Sequence, residues 1–133
     1  MAVMGRQQLQ RLKAWRTELK RHLCVPVIRL AFEGFVTMER LKREEAEQHE
    51  RTPFPPGTAW GACWEYGWFF ADVEIPESLA GQRLILRPGL GAEQLVHVNG
   101  QCAGSIDREH AYVTLSRSAQ AHQQFHLAAR PPE

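Results

Sequence analysis

The sequence predicts a mainly β protein, an antiparallel β-sandwich or jelly roll preceded by an N-terminal amphipathic helix. Hydrophobic residues recur at helical spacing only near the N-terminus, and strand-like runs follow later at intervals of about ten residues. Asn99-Gly100 separates two of these runs. No alternation of strands with helices favours a parallel sheet. A chain of 133 residues is long enough for one such domain and too short for two independent cores.

The first element is predicted to be a helix that ends near Leu23. Its large apolar residues recur at spacings of three and four, which places them on one stripe of a helical surface; they are Leu9, Leu12, Trp15, Leu19 and Leu23. Pro26 lacks an amide donor and disfavours helical geometry at the residue before it, so the helix stops there. We interpret the stripe as a surface that packs against a core, with a partner helix or a membrane as the alternatives.

The segment between this helix and the sandwich is predicted to be a lead-in. Residues 25–37 are expected to be extended, and residues 38–51 to form a solvated polar helix or a linker, since they have little to bury. The run Pro-Phe-Pro-Pro-Gly at 53–57 then breaks regular structure. We therefore assign a helical and extended lead-in to residues 1–52 and a β-sandwich module to residues 53–133, whose completeness at the C-terminus is left open.

Beyond the break, the hydrophobic period is that of strands. Asn-Gly between two strand-like runs is a strong hairpin signal, because both central residues of a type I′ turn need positive φ. Trp68 and Phe70 are expected to lie in the core of the sandwich. The predicted strands cover residues 68–75, 82–87, 93–98, 101–106, 112–115 and 125–128.

Composition and charge exclude several classes of protein. Hydrophobic residues make up 44% and charged residues 23% of the chain, and the net charge is +1, so no overall field attracts nucleic acid or acidic lipid. Residues 1–51 carry 11 basic and 7 acidic residues, and residues 52–133 carry 5 and 8. Because basic and acidic residues alternate in the first segment, it does not resemble a nucleic-acid-binding tail.

The cysteines and the lack of targeting signals predict a cytoplasmic protein without a membrane partner. Cys24, Cys63 and Cys102 are far apart and odd in number, which disfavours a disulfide framework and favours a reducing compartment. Each is expected to be a small buried hydrophobic residue. No signal segment opens the chain, and no run approaches the roughly 20 apolar residues that a membrane span requires.

The sequence contains no recognisable catalytic or metal-binding pattern. His122 and His126 are four residues apart, but no HExxH or CxxC accompanies them and they lie in a predicted loop entering a strand. No GxSxG elbow marks a serine nucleophile. Asp107 and Glu109 have no second acidic cluster to face, as a glycosidase pair would need. We therefore predict no catalytic residue, no metal ligand and no resident cofactor.

An aromatic cluster is the first candidate for a binding or interdomain surface. Trp60, Trp64 and Tyr66 lie in a glycine-rich entry to the first long strand. Flat aromatic faces stack on the apolar faces of sugar rings, which is one use for such a run. The alternative is that these rings form the edge of the core.

A polar cluster is the second candidate surface. Asp107, Arg108 and His110 combine a carboxylate, a guanidinium and an imidazole just after a predicted strand, where loops commonly carry function. The alternative is a turn held together by the side chains of Asp107 and Arg108.

The order of these features resembles the N-terminal region of bacterial family-38 glycoside hydrolases, the α-mannosidases. The same order is shared, more loosely, by the sugar-binding (galactose-binding-like) sandwich domains that precede other glycosidase catalytic domains. The resemblance covers roughly residues 60–115, and it rests on Tyr66-Gly67-Trp68-Phe69, Val73-x-Ile75-Pro76, Gly81-x-Arg83-Leu84-x-Leu86, Leu95-Val96-x-Val98-Asn99-Gly100 and Gly104-x-x-Asp107-Arg108-x-His110.

The resemblance implies a non-catalytic accessory domain of an α-mannosidase-like enzyme. In that family, a retaining two-carboxylate mechanism and a zinc ion belong to a following catalytic domain, so zinc is expected only there and no site residue is carried over to this chain. The catalytic domain is the expected partner, a mannose-containing glycan is a further candidate, and nucleic acid is not expected. The alternatives are a free-standing carbohydrate-binding module and a truncated gene product without independent activity.

Overall fold

The computed structural model describes residues 5–132, with the backbone alone at Arg21. Residues 1–4 and 133 of the two predicted segments therefore lie outside the described residues. A helix of 18 residues opens the chain and is followed mainly by strands. In chain order, the elements are α1 (Arg6–Leu23), β1 (Glu33–Thr37), α2 (Arg43–Glu47), β2 (Thr52–Pro53), β3 (Tyr66–Glu74), a 3₁₀ turn (Glu77–Leu79), β4 (Leu84–Leu86), β5 (Gln94–Val98), β6 (Gln101–Ile106), β7 (Val113–Ser116) and β8 (Gln124–Arg130).

The strands form a six-stranded sheet in the order β2-β1-β3-β8-β5-β6 and a two-stranded sheet of β4 and β7. Every strand pair is antiparallel. These findings confirm the predicted antiparallel, mainly β fold with an N-terminal helix. The large sheet includes strands from both predicted segments. β1, before residue 53, pairs with β3, after it. Glu33 lies opposite Phe70 at one end of this pair, and Thr37 lies opposite Tyr66 at the other. The division of the chain into two segments at that residue stays a prediction.

The main core lies between the two sheets. Alternate residues of a strand point to opposite faces, so one face of β3, β5 and β8 supplies this core. Ile75, Val96 and Leu127 are almost fully buried there, and Leu84 and Leu86 of β4 cover them from the small sheet. The two-stranded sheet is too narrow to cover the whole face of the six-stranded sheet. A groove therefore remains uncovered on that face, next to residues 24–30.

The opposite face of the large sheet, here called the back face, is covered by residues 38–51 instead of a second sheet. Phe35, Trp68 and Phe70 form a second core with Ala46 of α2, which is fully buried. The expectation that residues 38–51 have little to bury is therefore wrong at Ala46. Two polar side chains complete the cover. The His49 ring stacks on the Phe35 ring with their centres 3.8 Å apart, and the Arg51 guanidinium lies 3.8 Å from the centre of the Phe70 ring.

The β5–β6 hairpin turns at Asn99-Gly100, as predicted, with φ of 49° and 82° at the two residues. Asn99 also joins this hairpin to β8. Its backbone N–H donates to the His126 carbonyl at 2.8 Å, and its side-chain oxygen accepts from the His126 N–H at 2.7 Å. Asn99 thus adopts the positive φ that the turn requires and also hydrogen-bonds the hairpin to β8. The sequence does not predict the second role.

We expect Asn99→Val to lower the free energy of unfolding by about 2 kcal/mol, since a β-branched residue is strained at positive φ and the His126 N–H loses its acceptor. Asn99→Gly keeps the turn geometry and removes only the side-chain hydrogen bonds to β8, so it is expected to lose about 1 kcal/mol. Urea denaturation followed by circular dichroism measures both values. Equal stability of wild type and Asn99→Val would contradict the double role.

The cysteines are not buried as expected. Cys63 and Cys102 are exposed, Cys24 is partly exposed, and all three are free thiols. The expectation of three small buried hydrophobic residues is therefore wrong. Within residues 5–132, no helix combines the length and apolar character needed to span a bilayer.

Candidate functional site

The aromatic cluster is built on a tight turn before β3. The Glu65 carboxylate accepts the backbone N–H groups of Gly61 at 3.1 Å and Ala62 at 2.9 Å, and the Glu65 N–H donates to the Ala62 carbonyl. Trp64 lies at the tip of this turn with φ of 68°, a conformation that few non-glycine residues adopt, and its side chain is 80% exposed. The turn therefore presents one indole to solvent.

Trp60 has a structural role at the same entry. Its indole N–H donates to the Leu90 carbonyl at 2.8 Å, and its ring lies 5.0 Å from that of Phe69 at an angle of 58°. A Cβ atom on Gly67 would lie only 2.6 Å from the Trp60 ring, so glycine is required for this contact. Trp60 thus ties the turn to the loop before β5.

Tyr66 lies on the back face at the start of β3, where it lines a cavity with Trp68. Trp60 packs instead on the ring of Phe69, which belongs to the other face. The three predicted aromatic residues therefore form no single platform, and only Trp64 displays most of its ring. Trp68 and Phe70 are buried, but they lie in the second core on the back face and not between the two sheets, so their predicted place in the sandwich core is wrong.

The polar cluster forms a turn after β6. Asp107 accepts the backbone N–H groups of Glu109 at 2.8 Å and His110 at 2.6 Å, and its own N–H donates to the His110 carbonyl at 3.0 Å. The His110 imidazole adds a contact to the same carboxylate at 3.2 Å. Arg108 is exposed. Asp107 and His110 are thus brought together, and the arrangement matches the turn alternative, with Asp107 rather than Arg108 holding it.

The backbone N–H of His110, together with that of Glu109 and the His110 imidazole, holds the pKa of Asp107 below its ordinary value. These donors stabilise the carboxylate, so their contribution is present above the unfolded pKa of about 3.9 and is lost as pH falls through the lower folded value. A general acid in glycoside hydrolysis needs a raised pKa instead. Asp107 is therefore suited to hold a turn rather than to donate a proton.

We expect Asp107→Ala to unfold at a lower temperature than the wild type at pH 6 and to approach it when the pH falls well below 3.9, the ordinary aspartate pKa. Protonation removes from the wild type the same stabilising charge that the substitution removes. Thermal melts across this pH range measure the difference. A difference that stays constant on acidification would contradict the proposed role of the ionised carboxylate.

The two histidines at helical spacing are separated by the fold. His122 lies in the loop before β8 with its ring 3.3 Å from the Glu74 carboxylate, and His126 on β8 contacts Asp72 at 2.6 Å. Across residues 5–132, no group of three His, Cys, Asp or Glu side chains could hold a metal ion. The described side chains thus do not fit the zinc site of an α-mannosidase, and the prediction that this chain carries no cofactor stays a prediction.

The structure reveals an apolar groove that the sequence did not predict. Its volume is about 400 Å³, and it is lined by residues 24–30, by β4 and the loop after it, and by Trp60. Val25, Val27 and Ile28 are exposed beside it. The apolar run Val-Pro-Val-Ile at 25–28 is the signal from which the groove could have been suspected, but its exposure cannot be deduced from sequence alone.

The apolar stripe of α1, which precedes the groove in sequence, is also exposed. All five of its large side chains are exposed, from 43% at Leu19 to 75% at Leu23, and Trp15 is 63% exposed. Interpreting the stripe as a surface that packs against a core is therefore wrong for the core described by residues 5–132. A helix of this kind generally gains most of its stability by burying its apolar face, and residues 5–132 do not bury this one.

Comparison with known proteins places these features in context. The family model for the jelly roll domain of α-mannosidase matches residues 25–129. Alpha-mannosidase 2C1 of human and of mouse are each 33% identical to this chain over 76 residues, which is 57% of this chain. The chain spans about 7% of the length of these curated relatives. No solved structure matches it.

Proposed function

Because this chain belongs to the family of α-mannosidase jelly roll domains, we propose that it is the non-catalytic accessory domain of an α-mannosidase-type glycoside hydrolase. Its partner is the catalytic domain of the parent enzyme, which also holds the zinc ion. The observation that supports this role most directly is the exposed apolar surface formed by α1 and the adjoining groove.

The apolar surface is too extensive for a domain that acts alone. Contiguous exposed apolar patches on soluble proteins generally mark interaction sites. The stripe of α1 runs along a helix of 18 residues, roughly 27 Å at 1.5 Å per residue, and ends where the groove begins at Cys24. A neighbouring domain of the same enzyme would cover both at once, which favours assembly over free diffusion.

The absence of catalysis in the isolated chain is part of the proposal. Hydrolysis of a glycosidic bond needs two carboxyl groups at a fixed separation, one of them with a raised pKa. In the sandwich, Asp107 holds a turn, while Asp72 and Glu74 contact histidines. These carboxylates are occupied with local partners.

Incubating the purified chain with an aryl α-mannoside and zinc is expected to give no turnover above buffer. An intact preparation of an α-mannosidase under the same conditions serves as the positive control. Zinc-dependent hydrolysis by the isolated chain, at a rate that follows its concentration, would refute the accessory role.

The docking role is tested in the full-length parent enzyme by adding two charges to the stripe. Leu12→Asp with Leu19→Asp is expected to lower the melting temperature and the α-mannosidase activity, because the stripe no longer packs on the catalytic domain. Gln10→Asp with Thr17→Asp adds the same charge at the same spacing of seven residues but off the stripe, and is expected to leave both unchanged. Equal behaviour of the two variants would contradict docking through the stripe.

A contact with carbohydrate is a second candidate function, favoured by Trp64 alone. Its exposed indole sits at a strained turn position, and such strain persists where the surroundings fix it. In titrations with methyl α-mannoside monitored by fluorescence, Trp64→Ala is expected to abolish any saturable signal. A wild type that shows no saturable change excludes this function for the isolated chain.

The cytoplasm is the proposed compartment of the parent enzyme. Three free thiols, two of them exposed, are compatible with a reducing environment and would be prone to oxidation outside it. Fractionation of the native cells, with detection of the full-length protein, tests this assignment. Recovery of the protein outside the cytoplasmic fraction would overturn it.

A further inference from the structure

A second cavity lies on the back face, at the end of β8, and is called here the basic cavity. Its volume is about 420 Å³. Its walls come from the segment that leads into α2, from the first residues of β3 and from the last residues of β8. The side chains that matter are Arg40, Lys42, Arg43, Arg130, Tyr66 and Trp68.

The charged side chains of the basic cavity are all cationic. No aspartate or glutamate from residues 5–132 lines it. Arg43 has a carboxylate partner, Glu47, at 3.0 Å, whereas Arg40 and Lys42 have no ion pair with any carboxylate in the described part of the chain. Among residues 5–132, the positive charges of Arg40 and Lys42 are therefore not compensated by a paired carboxylate.

The position of Lys42 is fixed by the backbone around it. The Glu45 carboxylate accepts the Lys42 N–H at 2.9 Å, and the Ala46 N–H donates to the Lys42 carbonyl at 3.0 Å. Ala46 in turn is buried against the back face. The backbone of the basic segment is thus held on the sheet by the start of α2, and the exposed side chains of Arg40 and Lys42 reach the cavity from it.

A buried donor in the wall also lacks a partner. Trp68 is 5% exposed, and its indole Nε1–H finds no acceptor among the described residues. Because the nitrogen atom itself is buried, the indole N–H lies within the cavity wall and would sense an occupant without contacting it. Indole, guanidinium and ammonium groups are all donors without acceptor capacity.

We propose that the basic cavity is a binding site for the phosphate group of a small phosphorylated ligand, with a sugar phosphate as the class that fits it. A phosphate offers only acceptors and negative charge, which matches the donors of Arg40 and Lys42, and arginine suits phosphate geometry particularly well. The volume falls within the range of about 300–1,000 Å³ that is usual for small-molecule sites, which leaves room for a hexose beside the phosphate. The half-buried ring of Tyr66 supplies a flat wall for it.

Isothermal titration of the purified chain with inorganic phosphate, mannose 6-phosphate and mannose tests the proposal. Both phosphates are expected to bind saturably, and mannose to bind at least tenfold more weakly than mannose 6-phosphate. Arg40→Gln with Lys42→Gln is expected to weaken phosphate binding at least tenfold. Arg83→Gln with Arg117→Gln removes the same charge from exposed positions away from the cavity and is expected to change it less than twofold.

The indole N–H of Trp68 gives a second readout. In ¹H–¹⁵N spectra, addition of phosphate is expected to shift one of the four tryptophan indole signals, and that signal should be missing in Trp68→Phe. The proposal is overturned if neither phosphate binds saturably, if both double variants bind alike, if mannose binds as tightly as mannose 6-phosphate, or if the signal of Trp68 stays in place.

Discussion

Gly34→Ala is expected to lower the free energy of unfolding by roughly 3 kcal/mol or more, because it inserts a carbon where two strands touch. Gly34 is a buried residue of β1, and a Cβ atom built on it would lie 2.0 Å from the Trp68 carbonyl oxygen. That oxygen belongs to the backbone of β3, so a side-chain rotation cannot relieve the overlap. Strands β1 and β3 must separate locally for alanine to fit.

Urea denaturation followed by circular dichroism measures the loss at Gly34. The control is Gly5→Ala before α1, where the nearest atom to an added Cβ lies 3.9 Å away, so a change below about 0.5 kcal/mol is expected. If Gly34→Ala proves too unstable to purify, its soluble yield is compared with that of Gly5→Ala, and a much lower yield for Gly34→Ala is the expected result. A Gly34→Ala protein as stable as the wild type would show that β1 is not held as closely on β3 as the structure indicates.

Phe69→Ala is expected to cost about 3–5 kcal/mol, the range for removing a large side chain from a close-packed interior. Phe69 is fully buried in the middle of β3. Its ring meets Phe54 edge-on at 4.9 Å and Trp60 at 5.0 Å, so the substitution leaves a cavity and removes support from the turn that carries Trp64.

Tyr112→Ala is the matched control for Phe69→Ala, since it removes an aromatic ring that is half exposed. It is expected to cost less than 1 kcal/mol in the same denaturation experiment, because little area is withdrawn from water there. Equal losses for the two variants would contradict the assignment of Phe69 to the interior. A wild-type tryptophan emission spectrum in Phe69→Ala would contradict its contact with Trp60.

Much of the fold can be predicted from local sequence, and particular residues show why. Asn99-Gly100 predicts the hairpin because positive φ is a property of those two residues and not of their surroundings. The strand runs are marked by branched and aromatic residues, which predicts that Trp68 and Phe70 are buried but not that they lie on the back face. The helix end before Pro26 follows from the missing amide of proline, and α1 indeed ends at Leu23.

The parts that the sequence did not reveal depend on contacts between distant segments. β1 joins the large sheet only because Gly34 lets it approach β3, and nothing within residues 25–37 indicates that partner. Ala46 is buried although its neighbours are charged, since a single small residue suffices to rest on the Phe35 and Phe70 rings. The basic segment at residues 40–43 does not stand out in the sequence, because the glutamates that flank it make the local net charge close to zero.

The candidate site residues divide in the same way. Asp107 and His110 lie three residues apart, so their contact is local and their proximity could be foreseen. Trp60, Trp64 and Tyr66 are equally close in sequence, but the strand that begins at Tyr66 sends successive side chains to opposite faces. The exposure of the α1 stripe depends on whether a distant segment packs on it, which no local pattern encodes.

The cover of the back face has a consequence for how the molecule opens. Residues 38–51 rest on the sheet through Ala46, the His49 ring and the Arg51 guanidinium, whereas β3 is hydrogen-bonded on both sides, to β1 and to β8. In amide hydrogen exchange, we expect the N–H groups of α2 to exchange at least tenfold faster than those of β3, through a partial opening that leaves the sheet intact. Equal rates would show that the two regions open only together.

Lifting that cover also dismantles the basic cavity, because Arg40, Lys42 and Arg43 leave with it while Tyr66 and Trp68 stay on the sheet. Cavity and cover are therefore thermodynamically coupled: we expect an occupant of the proposed site to slow exchange in α2, and a substitution at Ala46 to weaken binding by the factor by which it lowers the closed fraction.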